Sequence, residues 1–452
     1  MKQSGPTGPV PHVPFVPSGS YPAREGNALF PLIDGVPAFR RIGQAVEAAR
    51  RSVWVVIAFI EPDFRMPDGL GSLFDLLDRA VGRGIDVRVL IWRPTPEGMG
   101  FGPTFSGTGE HLEMLRQRGS RFRIRWDRHE GTGCHHQKCW LIDAAEPGEV
   151  AFVGGMNLSR GAYGTPGHLG GGAQFHDLYV ELSGPSASDV HHNFVQRWND
   201  ASDRDAADGS WGHTGDDELP IPARASSPRG DAVVQVQRTI MAGRHGDLPD
   251  GEQSIFRQYL IAIEAARRTI YLEHQALPVV EIAEKLEAAL ARGVEVVLLV
   301  PPEPEAIVRA RRKDAEWDAF FERIEALSRH DGFAMAGLAA PDGAGGRRSV
   351  SVHSKVMLVD DAWGTIGSCN LHAGSLFRNT EMNVSFWDPA CVRALRCELL
   401  AEHLGEETRH LDDRAALAHF RRIARENAAR RDVGDDDWQG LVFALDPAVY
   451  GK

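Results

Sequence analysis

One short pattern of polar residues occurs twice in this 452-residue chain, with about 217 residues between the copies. Each copy reads His-x-Lys-x-x-x-x-Asp and is followed by Gly-Gly or Gly-Ser, one further residue and Asn. The copies comprise His136, Lys138, Asp143, Gly154, Gly155 and Asn157, then His353, Lys355, Asp360, Gly367, Ser368 and Asn370. A single copy would be a weak signal, but two copies with the same sequel predict a fold that brings two half-sites together.

The spacing within each copy predicts where its side chains point. The apolar runs CWLID and VMLVD indicate short strands, in which side chains alternate between two faces. We therefore expect the histidine and lysine of a copy on one face and its aspartate, Asp143 or Asp360, on the other, where it fixes a turn. The glycines of the following segment leave its backbone N–H groups accessible to an anion.

The residue types in the two copies suit a phosphate. One imidazole can attack phosphorus while the other protonates the leaving oxygen. The lysines and asparagines can stabilise charge on the non-bridging oxygens, so we expect neither a metal nor a cofactor in the chemistry. The alternative, that each histidine is a buried structural residue, leaves two buried lysines unexplained.

Two further segments also repeat, the first of them at the same offset. Residues 46–55 (VEAARRSVWV) correspond to residues 263–272 (IEAARRTIYL), and residues 75–97 correspond to residues 284–305. Helical patterns alternate with strand-sized apolar runs, which predicts an α/β fold with mixed, largely parallel sheets. We interpret the chain as an internal duplication of two similar α/β/α lobes, with one active site at their pseudo-twofold interface.

Composition along the chain suggests the boundaries of these lobes. Residues 1–25 are rich in proline and glycine, which indicates an extended arm, and residues 201–231 are polar and turn-rich, which indicates a linker. The first lobe then spans residues 26–200 and the second spans residues 232–410. Residues 411–452 form an amphipathic helix and an acidic tail.

The doubled motif resembles that of the phospholipase D superfamily, and three further segments resemble phospholipase D proper. These segments are FHDLYVELSGPSASDVHHNFVQRWND (residues 175–200), YLEHQ (271–275) and LRCELLAEHLG (395–405). In the second segment His274 stands where the family has Asn. The similarity covers roughly residues 20–430, which is nearly the whole chain.

This resemblance implies roles for individual residues. It implies that His136 is the nucleophile and forms a phosphohistidine, while His353 protonates the departing headgroup and then activates water or an alcohol. It also implies that Asp177 and Glu381 hold the far nitrogens of the two imidazoles, although Glu381 departs from family members that carry Asp there.

Two residues of the YLEHQ segment, Glu273 and Gln275, correspond to the Glu and Gln of the family segment. The resemblance implies that they line or support the substrate cavity. A buried, purely structural hydrogen-bonded pair is an open alternative.

The resemblance implies a glycerophospholipid substrate such as phosphatidylcholine, which yields phosphatidic acid and a free headgroup, with transfer to alcohols as a side reaction. A cardiolipin-synthase-like phosphatidyltransferase and a nuclease of the same superfamily are alternatives. A formal net charge of −12 argues against nucleic acid as the partner. A lipid-binding module that has lost turnover is a further alternative.

Composition restricts the setting of the activity. No apolar run reaches the 18 or more residues of a membrane span, so we expect a monomer that contacts a membrane or micelle surface peripherally. Five cysteines without framework spacing, and no signal peptide, favour the cytoplasm. Cys134 and Cys139 flank His135 and His136, but the second copy has no counterparts, so we expect no metal there.

Overall fold

The fold is described here from a computed structural model, which covers residues 12–17, 19–95, 105–129, 131–169, 174–202 and 217–452. Residues 1–11 and 18 of the predicted arm and residues 203–216 of the predicted linker lie outside the described residues. No helix in the described ranges combines the length and the apolar character needed to span a bilayer.

The first half alternates strands and helices. Its elements are β1 (Arg24–Ile33), α1 (Gly35–Ala48), β2 (Ser52–Ile57), β3 (Arg65–Met66), β4 (Gly71–Ser72), α2 (Leu73–Gly82), β5 (Asp86–Arg93), α3 (Gly109–Arg118), β6 (Arg123–Arg128), β7 (Cys139–Ile142), β8 (Val150–Gly154), β9 (Phe175–His176), β10 (Leu178–Ser183) and α4 (Ala187–Asn199).

The second half follows a similar order and ends with an additional helix and strand. Its elements are β11 (Ala232–Ile240), β12 (Glu252–Gln253), α5 (Ser254–Ala265), β13 (Thr269–His274), α6 (Val280–Ala291), β14 (Glu295–Leu299), α7 (Ala306–Arg311), α8 (Asp318–Leu327), β15 (Phe333–Pro341), β16 (Arg347–Val352), β17 (Lys355–Val359), β18 (Trp363–Gly367), α9 (Ala373–Phe377), β19 (Glu381–Trp387), α10 (Pro389–Leu404), α11 (Asp413–Asp432) and β20 (Val442–Leu445).

The strands of each half pair in the same order. They run β6–β5–β2–β7–β8–β10–β1 in the first half and β15–β14–β13–β17–β18–β19–β11 in the second. This confirms the mixed α/β class. Antiparallel pairs are more numerous than the sequence suggested. The strands linked by helical crossovers, three in each half, pair in parallel, as do the short β9 and β16, whereas the hairpin-linked strands pair antiparallel. The matching order is consistent with a duplication, which stays a prediction.

Strand β1, which the sequence analysis did not predict, joins the two halves. It pairs with β10 through residues 28–33 and with β11 through Arg24 and Asn27, opposite Val234 and Ala232. Through this junction the strands of both halves form one sheet, which counts 18 strands within the described ranges. Scattered polar residues in REGNALFPLI, and its mostly half-exposed side chains, hide the strand from a search for apolar runs.

One side of helix α1 is buried. Val36, Phe39, Ile42 and Val46 all face the core, because apolar residues at this spacing share one side of a helix. Phe39, Ile42 and Val46 pack in a hydrophobic cluster of the first half, and a comparable cluster fills the second half. A third cluster contains residues of both halves, so the lobes share a core.

Local sequence also sets the helix ends near the site. Asp388 caps α10 by accepting a hydrogen bond from the Cys391 N–H at 3.0 Å, and Pro389 occupies the first turn. Gly405 ends this helix in a left-handed conformation. The amphipathic helix predicted from Asp412 forms as α11, and the tail adds β20 to the edge of β15.

Candidate active site

A cavity of about 1100 Å³ lies where the two motif copies meet. The first half contributes His136 and Asn157 to its wall, and the second half contributes His353, Asn370 and Gln275. Two half-sites from residues more than 200 positions apart therefore converge on one space.

The motif residues begin before the strands that were predicted to carry them. Strand β7 starts at Cys139, so His136 and Lys138 precede it, and Lys355 is the first residue of β17. Each histidine instead bonds its backbone to the opposite half. The His136 N–H donates to Thr380 O at 2.9 Å, and the His353 N–H donates to His176 O at 2.8 Å.

Each imidazole is held by a carboxylate of the opposite half. His136 Nδ1 lies 3.0 Å from Glu381 Oε2, and His353 Nδ1 lies 2.6 Å from Asp177 Oδ2. The pairs therefore cross between the halves. Asp177 lies in the same half as His136 but holds His353, and Glu381 lies in the same half as His353 but holds His136. A carboxylate at Nδ1 favours the tautomer with the proton on Nδ1, which leaves the Nε2 lone pair for the cavity.

The two lysines lie behind the imidazoles. Lys138 Nζ donates to His136 O at 2.6 Å, and Lys355 Nζ donates to His353 O and to Gln275 Oε1 at 3.2 Å. Both side chains are buried. Lys355 Nζ also lies 3.0 Å from His353 Nδ1, but it donates no hydrogen bond there, since Nδ1 carries the proton that is donated to Asp177.

Burial and neighbouring charges shift the acidities of these groups. Burial lowers the pKa of His136, and burial together with Lys355 lowers the pKa of His353 to about 4. Burial, aided by Lys355 and opposed by Glu381, lowers the pKa of Lys138 to about 7. Burial alone would raise the pKa of Glu381, but His136, Lys138 and a hydrogen bond from Ser368 lower it overall. Both imidazoles are therefore neutral at pH 7 in the empty site, beside an ionised Glu381.

The glycine segments do not offer free N–H groups, so that expectation is wrong. The N–H of Gly154 donates to Lys138 O at 3.2 Å, that of Gly155 to Leu178 O at 3.1 Å, and that of Ser368 to Met382 O at 2.9 Å. These residues continue the ladders of β8 and β18, whose last residues are Gly154 and Gly367.

The small residues Gly155 and Ser368 leave space for the carboxylates of Asp177 and Glu381. A Cβ atom on Gly155 would lie 2.4 Å from Asp177 Oδ1, so a side chain there would displace the carboxylate. In the second half Ser368 occupies the corresponding position, and its hydroxyl donates to Glu381 Oε2 at 2.6 Å. The longer Glu381 is thus accompanied by an additional hydrogen-bond donor.

The two motif asparagines reach the cavity in different ways. Asn157 Oδ1 accepts a hydrogen bond from the Phe59 N–H at 3.1 Å, which turns its NH₂ group away from the backbone. Asn370 Nδ2 donates to Gln275 Oε1 at 3.3 Å. Both amides line the cavity, where an NH₂ group can reach a phosphate oxygen.

The motif aspartates lie away from the cavity. Asp143 Oδ1 accepts the N–H groups of Arg50, Arg51 and Ser52 at 2.7–3.3 Å, at the start of β2. Asp360 accepts those of residues 267–269 at 2.7–2.9 Å, at the start of β13. Each aspartate therefore fixes the turn between two adjacent strands.

The YLEHQ segment divides its side chains between the cavity and the interior. Gln275 lines the cavity, as the resemblance implied. Glu273 does not: it is buried, with its Oε2 3.1 Å from His176 Nε2 and its Oε1 2.9 Å from His403 Nε2. His274 is also buried, and its Nε2 lies 3.4 Å from the Tyr259 hydroxyl.

Several site residues were not found from the sequence. Phe175 stacks on His353 with ring centroids 5.2 Å apart, and Phe59 approaches His136 edge-on at 6.4 Å. His372 also lines the cavity, and its place two residues after Asn370 of the second motif copy could have indicated this from the sequence. One wall is apolar, which no motif indicated, and consists of Leu277, Val279, Val280, Ile307, Val308, Trp317, Phe320 and Phe321.

Comparison with protein families gives one match. Residues 259–402 match the family described as "Cardiolipin synthase, PLD-like domain". The matched range contains β13 to α10, including the second motif copy.

Curated relatives match over most of the chain. The chain is 26% identical to cardiolipin synthase A of Pseudomonas entomophila over 82% of its length, 24% identical to phospholipase D A of Dictyostelium discoideum over 81%, and 25% identical to phospholipase D alpha 4 of Arabidopsis thaliana over 83%. The matches span 67%, 33% and 65% of those relatives, so the chain corresponds to two thirds of their length or less.

A solved structure has a related fold. The chain superimposes on phosphatidylserine synthase of Haemophilus influenzae Rd KW20 with a TM-score of 0.57 and 13% sequence identity. The superposition covers 92% of this chain and 96% of the other. At this identity the similarity concerns the fold alone.

Proposed function

This chain belongs to the phospholipase D superfamily, and we propose that it hydrolyses glycerophospholipids such as phosphatidylcholine to phosphatidic acid and a free headgroup. The observation that carries the proposal is the pair of imidazoles at one cavity, each with a carboxylate of the opposite half at Nδ1. Residues 26–200 and 232–410 act as two lobes that each supply half of the site.

In the first step, His136 Nε2 attacks phosphorus. A P–N bond forms while the P–O bond to the headgroup breaks, and His353 gives its proton to the departing oxygen. His353 is neutral in the empty site, but an anionic phosphodiester beside it favours the protonated form. Glu381 stabilises the positive charge that develops on His136.

In the second step, the now neutral His353 takes a proton from water. The hydroxide oxygen forms a bond to phosphorus, the P–N bond breaks, and phosphatidic acid leaves. An alcohol can replace water in this step and gives a phosphatidyl ester. The assignment of His136 as the nucleophile rests on the resemblance, since the two imidazoles have similar surroundings.

Four side chains offset the charge of the phosphate. Lys138 and Lys355 supply positive charge from behind the imidazoles, and the amides of Asn157 and Asn370 donate from the cavity wall. Because these groups are fixed by the fold, little reorganisation is needed as charge develops on the oxygens.

The apolar wall supports a lipid as the substrate. The residues of this wall belong to the second half and line the same cavity as the imidazoles. Among them, Ile307 is 51% exposed. Acyl chains gain free energy from leaving water for such a surface, at roughly 0.8 kcal/mol per buried CH₂ group. We propose that the protein works as a monomer in peripheral contact with a membrane or micelle.

A second candidate function is phosphatidyl transfer of the cardiolipin-synthase kind. The matched family description and one of the relatives name that activity. The same phosphohistidine would serve both functions, because only the acceptor differs: water in one and the glycerol hydroxyl of a second lipid in the other.

The products formed from defined vesicles distinguish the candidates. Vesicles of phosphatidylcholine, and separately of phosphatidylglycerol, are incubated with the enzyme with and without ethanol, in EDTA. We expect choline and phosphatidic acid from the first, with phosphatidylethanol when ethanol is present. His136→Ala should abolish turnover, whereas His410→Ala, a change at an exposed histidine outside the cavity, should not.

Other results would favour one of the alternative functions. Cardiolipin and glycerol from phosphatidylglycerol, with little phosphatidic acid, would favour the transferase. Cleavage of single-stranded DNA without lipid turnover would favour a nuclease. Lipid affinity that survives His136→Ala, without any turnover in the wild type, would indicate a binding module.

A further inference from the structure

Two arginines in the wall of the catalytic cavity take no part in the proposed mechanism. Arg311 is the last residue of α7, and Arg378 directly follows α9. Both line the cavity that contains His136 and His353. We call Arg311 and Arg378 the arginine pair.

The arginine pair lacks an anionic partner among the residues that the structure describes. Within those residues, neither guanidinium group forms a hydrogen bond or an ion pair. The arginines next to Arg311 are paired, since Arg309 lies 3.1 Å from Glu303 Oε2 and Arg312 lies 2.6 Å from Glu325 Oε1. In a chain with a formal net charge of −12, this favours an anion that the chain does not itself supply.

The carboxylates that line the cavity have other partners or lie apart from the arginine pair. Glu305 Oε1 accepts a hydrogen bond from Gln275 Nε2 at 2.6 Å, and Glu61 Oε2 accepts the Arg160 N–H at 3.0 Å. Glu281, on α6, forms no ion pair with either arginine in the described part of the chain. The positive charge of the pair is therefore not cancelled within the cavity.

The two guanidinium groups lie near each other. Burial lowers the pKa of Arg311, and the positive charge of Arg378 adds to this shift. The Arg311 guanidinium also lies over the Trp317 ring, 4.0 Å from its centroid. Stacking on an aromatic face leaves the N–H groups at the edge of the guanidinium available to an anion.

The arginine pair lies on the side of the cavity that holds His136. Arg378 precedes Glu381 by three residues, and Asn379 Nδ2 between them donates to Glu381 Oε1 at 3.2 Å. Burial lowers the pKa of His372 to about 4, and His136 and Arg311 both add to this shift. A cavity of about 1100 Å³ has room for a second phosphate beside the one held by the imidazoles.

We propose that Arg311 and Arg378 form a second anion-binding subsite, which takes a phosphate group other than the one being cleaved. Guanidinium groups bind phosphate through paired N–H bonds, and its charge relieves the repulsion between the two arginines. The inference rests on the proposed function, because the subsite opens into the cavity in which the diester is cleaved. The second phosphate belongs either to the alcohol that replaces water or to a neighbouring anionic lipid.

Transfer to two matched alcohols tests the first source. A soluble short-chain phosphatidylcholine is offered equal concentrations of glycerol and glycerol 3-phosphate, which differ only in the phosphate. In either case the hydroxyl oxygen bonds to phosphorus, the P–N bond breaks and His353 takes the proton. The wild type should prefer glycerol 3-phosphate by about tenfold, and the double variant Arg311→Gln/Arg378→Gln by less than about threefold.

Arg309→Gln is the matched control for this experiment. Arg309 lies on the same helix as Arg311, but it pairs with Glu303 and does not line the cavity. The change removes the same charge, so the preference for glycerol 3-phosphate should persist. Circular dichroism checks that each variant is folded.

Phosphatidylcholine vesicles test the second source. They contain a minor fraction of either phosphatidic acid or diacylglycerol, and phosphatidic acid has no diester to be cleaved. If a neighbouring lipid fills the subsite, phosphatidic acid should lower KM for phosphatidylcholine by about tenfold in the wild type and in Arg309→Gln. The double variant should lose this effect.

Equilibrium dialysis with radiolabelled glycerol 3-phosphate needs no turnover and separates this inference from the proposed function. The wild type and Arg309→Gln should bind about two molecules per chain, one at the imidazoles and one at the arginine pair, and the double variant about one. The same stoichiometry in all three proteins would overturn the inference. Two molecules per chain without turnover of any lipid would refute the proposed function and leave the subsite established.

Discussion

Glu381 is the residue on which the reactivity of His136 depends most. Its carboxylate lies 3.0 Å from His136 Nδ1, is fully buried, and also accepts the Ser368 hydroxyl. An ionised carboxylate at this position orients the imidazole and stabilises the cation formed as Nε2 attacks. The proposed nucleophile of the first half is therefore held by a carboxylate of the second half.

Replacing Glu381 with Gln should lower kcat by about 10²-fold or more, because the amide keeps the size of the side chain but not its charge. Ser368→Ala, which removes only the hydroxyl donor, should cost less than about tenfold. Both are measured as headgroup release, with circular dichroism as a check of folding. A Glu381→Gln enzyme with more than half of the wild-type kcat would contradict this role.

The pH dependence of kcat/KM should be bell-shaped with an optimum near or below pH 7. Attack needs neutral His136, whose pKa burial lowers, so the acid limb lies below the usual imidazole range. Phosphate binding needs charged Lys138, whose pKa burial lowers to about 7, so activity falls as the pH rises through that value. The first step also needs protonated His353, which the anionic phosphodiester favours once it is bound.

Lys138→Arg provides the check on this assignment. Arginine stays protonated throughout the accessible range, so the alkaline limb attributed to Lys138 should disappear even if the overall rate is lower. The profile is measured on soluble short-chain diesters, to avoid effects of pH on vesicles. An unchanged alkaline limb would assign it to another group.

At the scale of single residues, the sequence indicated the motif residues that the structure brings together. The resemblance named the two carboxylates, but not which histidine each one holds. Histidine, lysine and asparagine at fixed spacing reflect the chemistry itself, so they could be identified from the chain. The pairing of Glu381 with His136 depends on how the halves pack, which no local pattern records. For Glu273 the sequence left open whether it lines the cavity or is buried, and its partners, His176 and His403, lie in the interior.

Among the elements, the turns closed by Asp143 and Asp360 connect the motif strands to their neighbours. Each carboxylate accepts three backbone N–H groups, and the backbone of the two aspartates has positive φ angles of 53° and 55°. Few side chains tolerate this backbone conformation, and aspartate is one of them. The motif aspartates thus support the strands rather than the phosphate.

Asp143→Ala should lower the free energy of unfolding by about 1–3 kcal/mol, because backbone donors lose their acceptor. Asp143→Asn should recover part of this loss, since Asn keeps one carbonyl oxygen and tolerates a positive φ. Urea unfolding measures both, and kcat of the folded enzyme should stay within a few-fold of wild type. A large fall in kcat with unchanged stability would instead give Asp143 a catalytic role.

Apolar runs made most central strands and helices predictable, since burial on both faces demands continuous hydrophobicity, as in β2. Strands β1 and β20 were missed because their positions at the junction and the edge require few apolar residues. The glycine segments were assigned to free turns, whereas pairing with β10 and β19 uses their N–H groups.

At the scale of the whole molecule, the site depends on both halves, because they share a core and are joined by the pairing of β1 with β11. Each imidazole belongs to one half, whereas its carboxylate and the backbone carbonyl that accepts its N–H belong to the other. The offset of the two motif copies was enough to predict two lobes facing one site. The crossed contacts arise only from their packing.

The apolar wall of the cavity should determine the preference for lipids over soluble diesters. Trp317→Ala should raise KM for phospholipid vesicles by about tenfold, since roughly 1–2 kcal/mol of apolar contact is lost. Turnover of a short-chain soluble diester should change little. Tyr163→Ala is the matched control, because Tyr163 is an exposed aromatic residue outside the cavity. Equal effects of Trp317→Ala on both substrates would contradict a role in lipid binding.

Trapping the covalent intermediate is the measurement to make first. The enzyme is mixed with a phosphatidyl ester of p-nitrophenol, quenched within milliseconds in alkaline denaturant, digested and analysed by mass spectrometry. We expect a phosphatidyl adduct on His136, which accumulates in His353→Ala because this leaving group needs no acid, and which is absent from His136→Ala. An adduct on His353 would reverse the assigned roles, and turnover without any adduct would contradict a phosphohistidine mechanism.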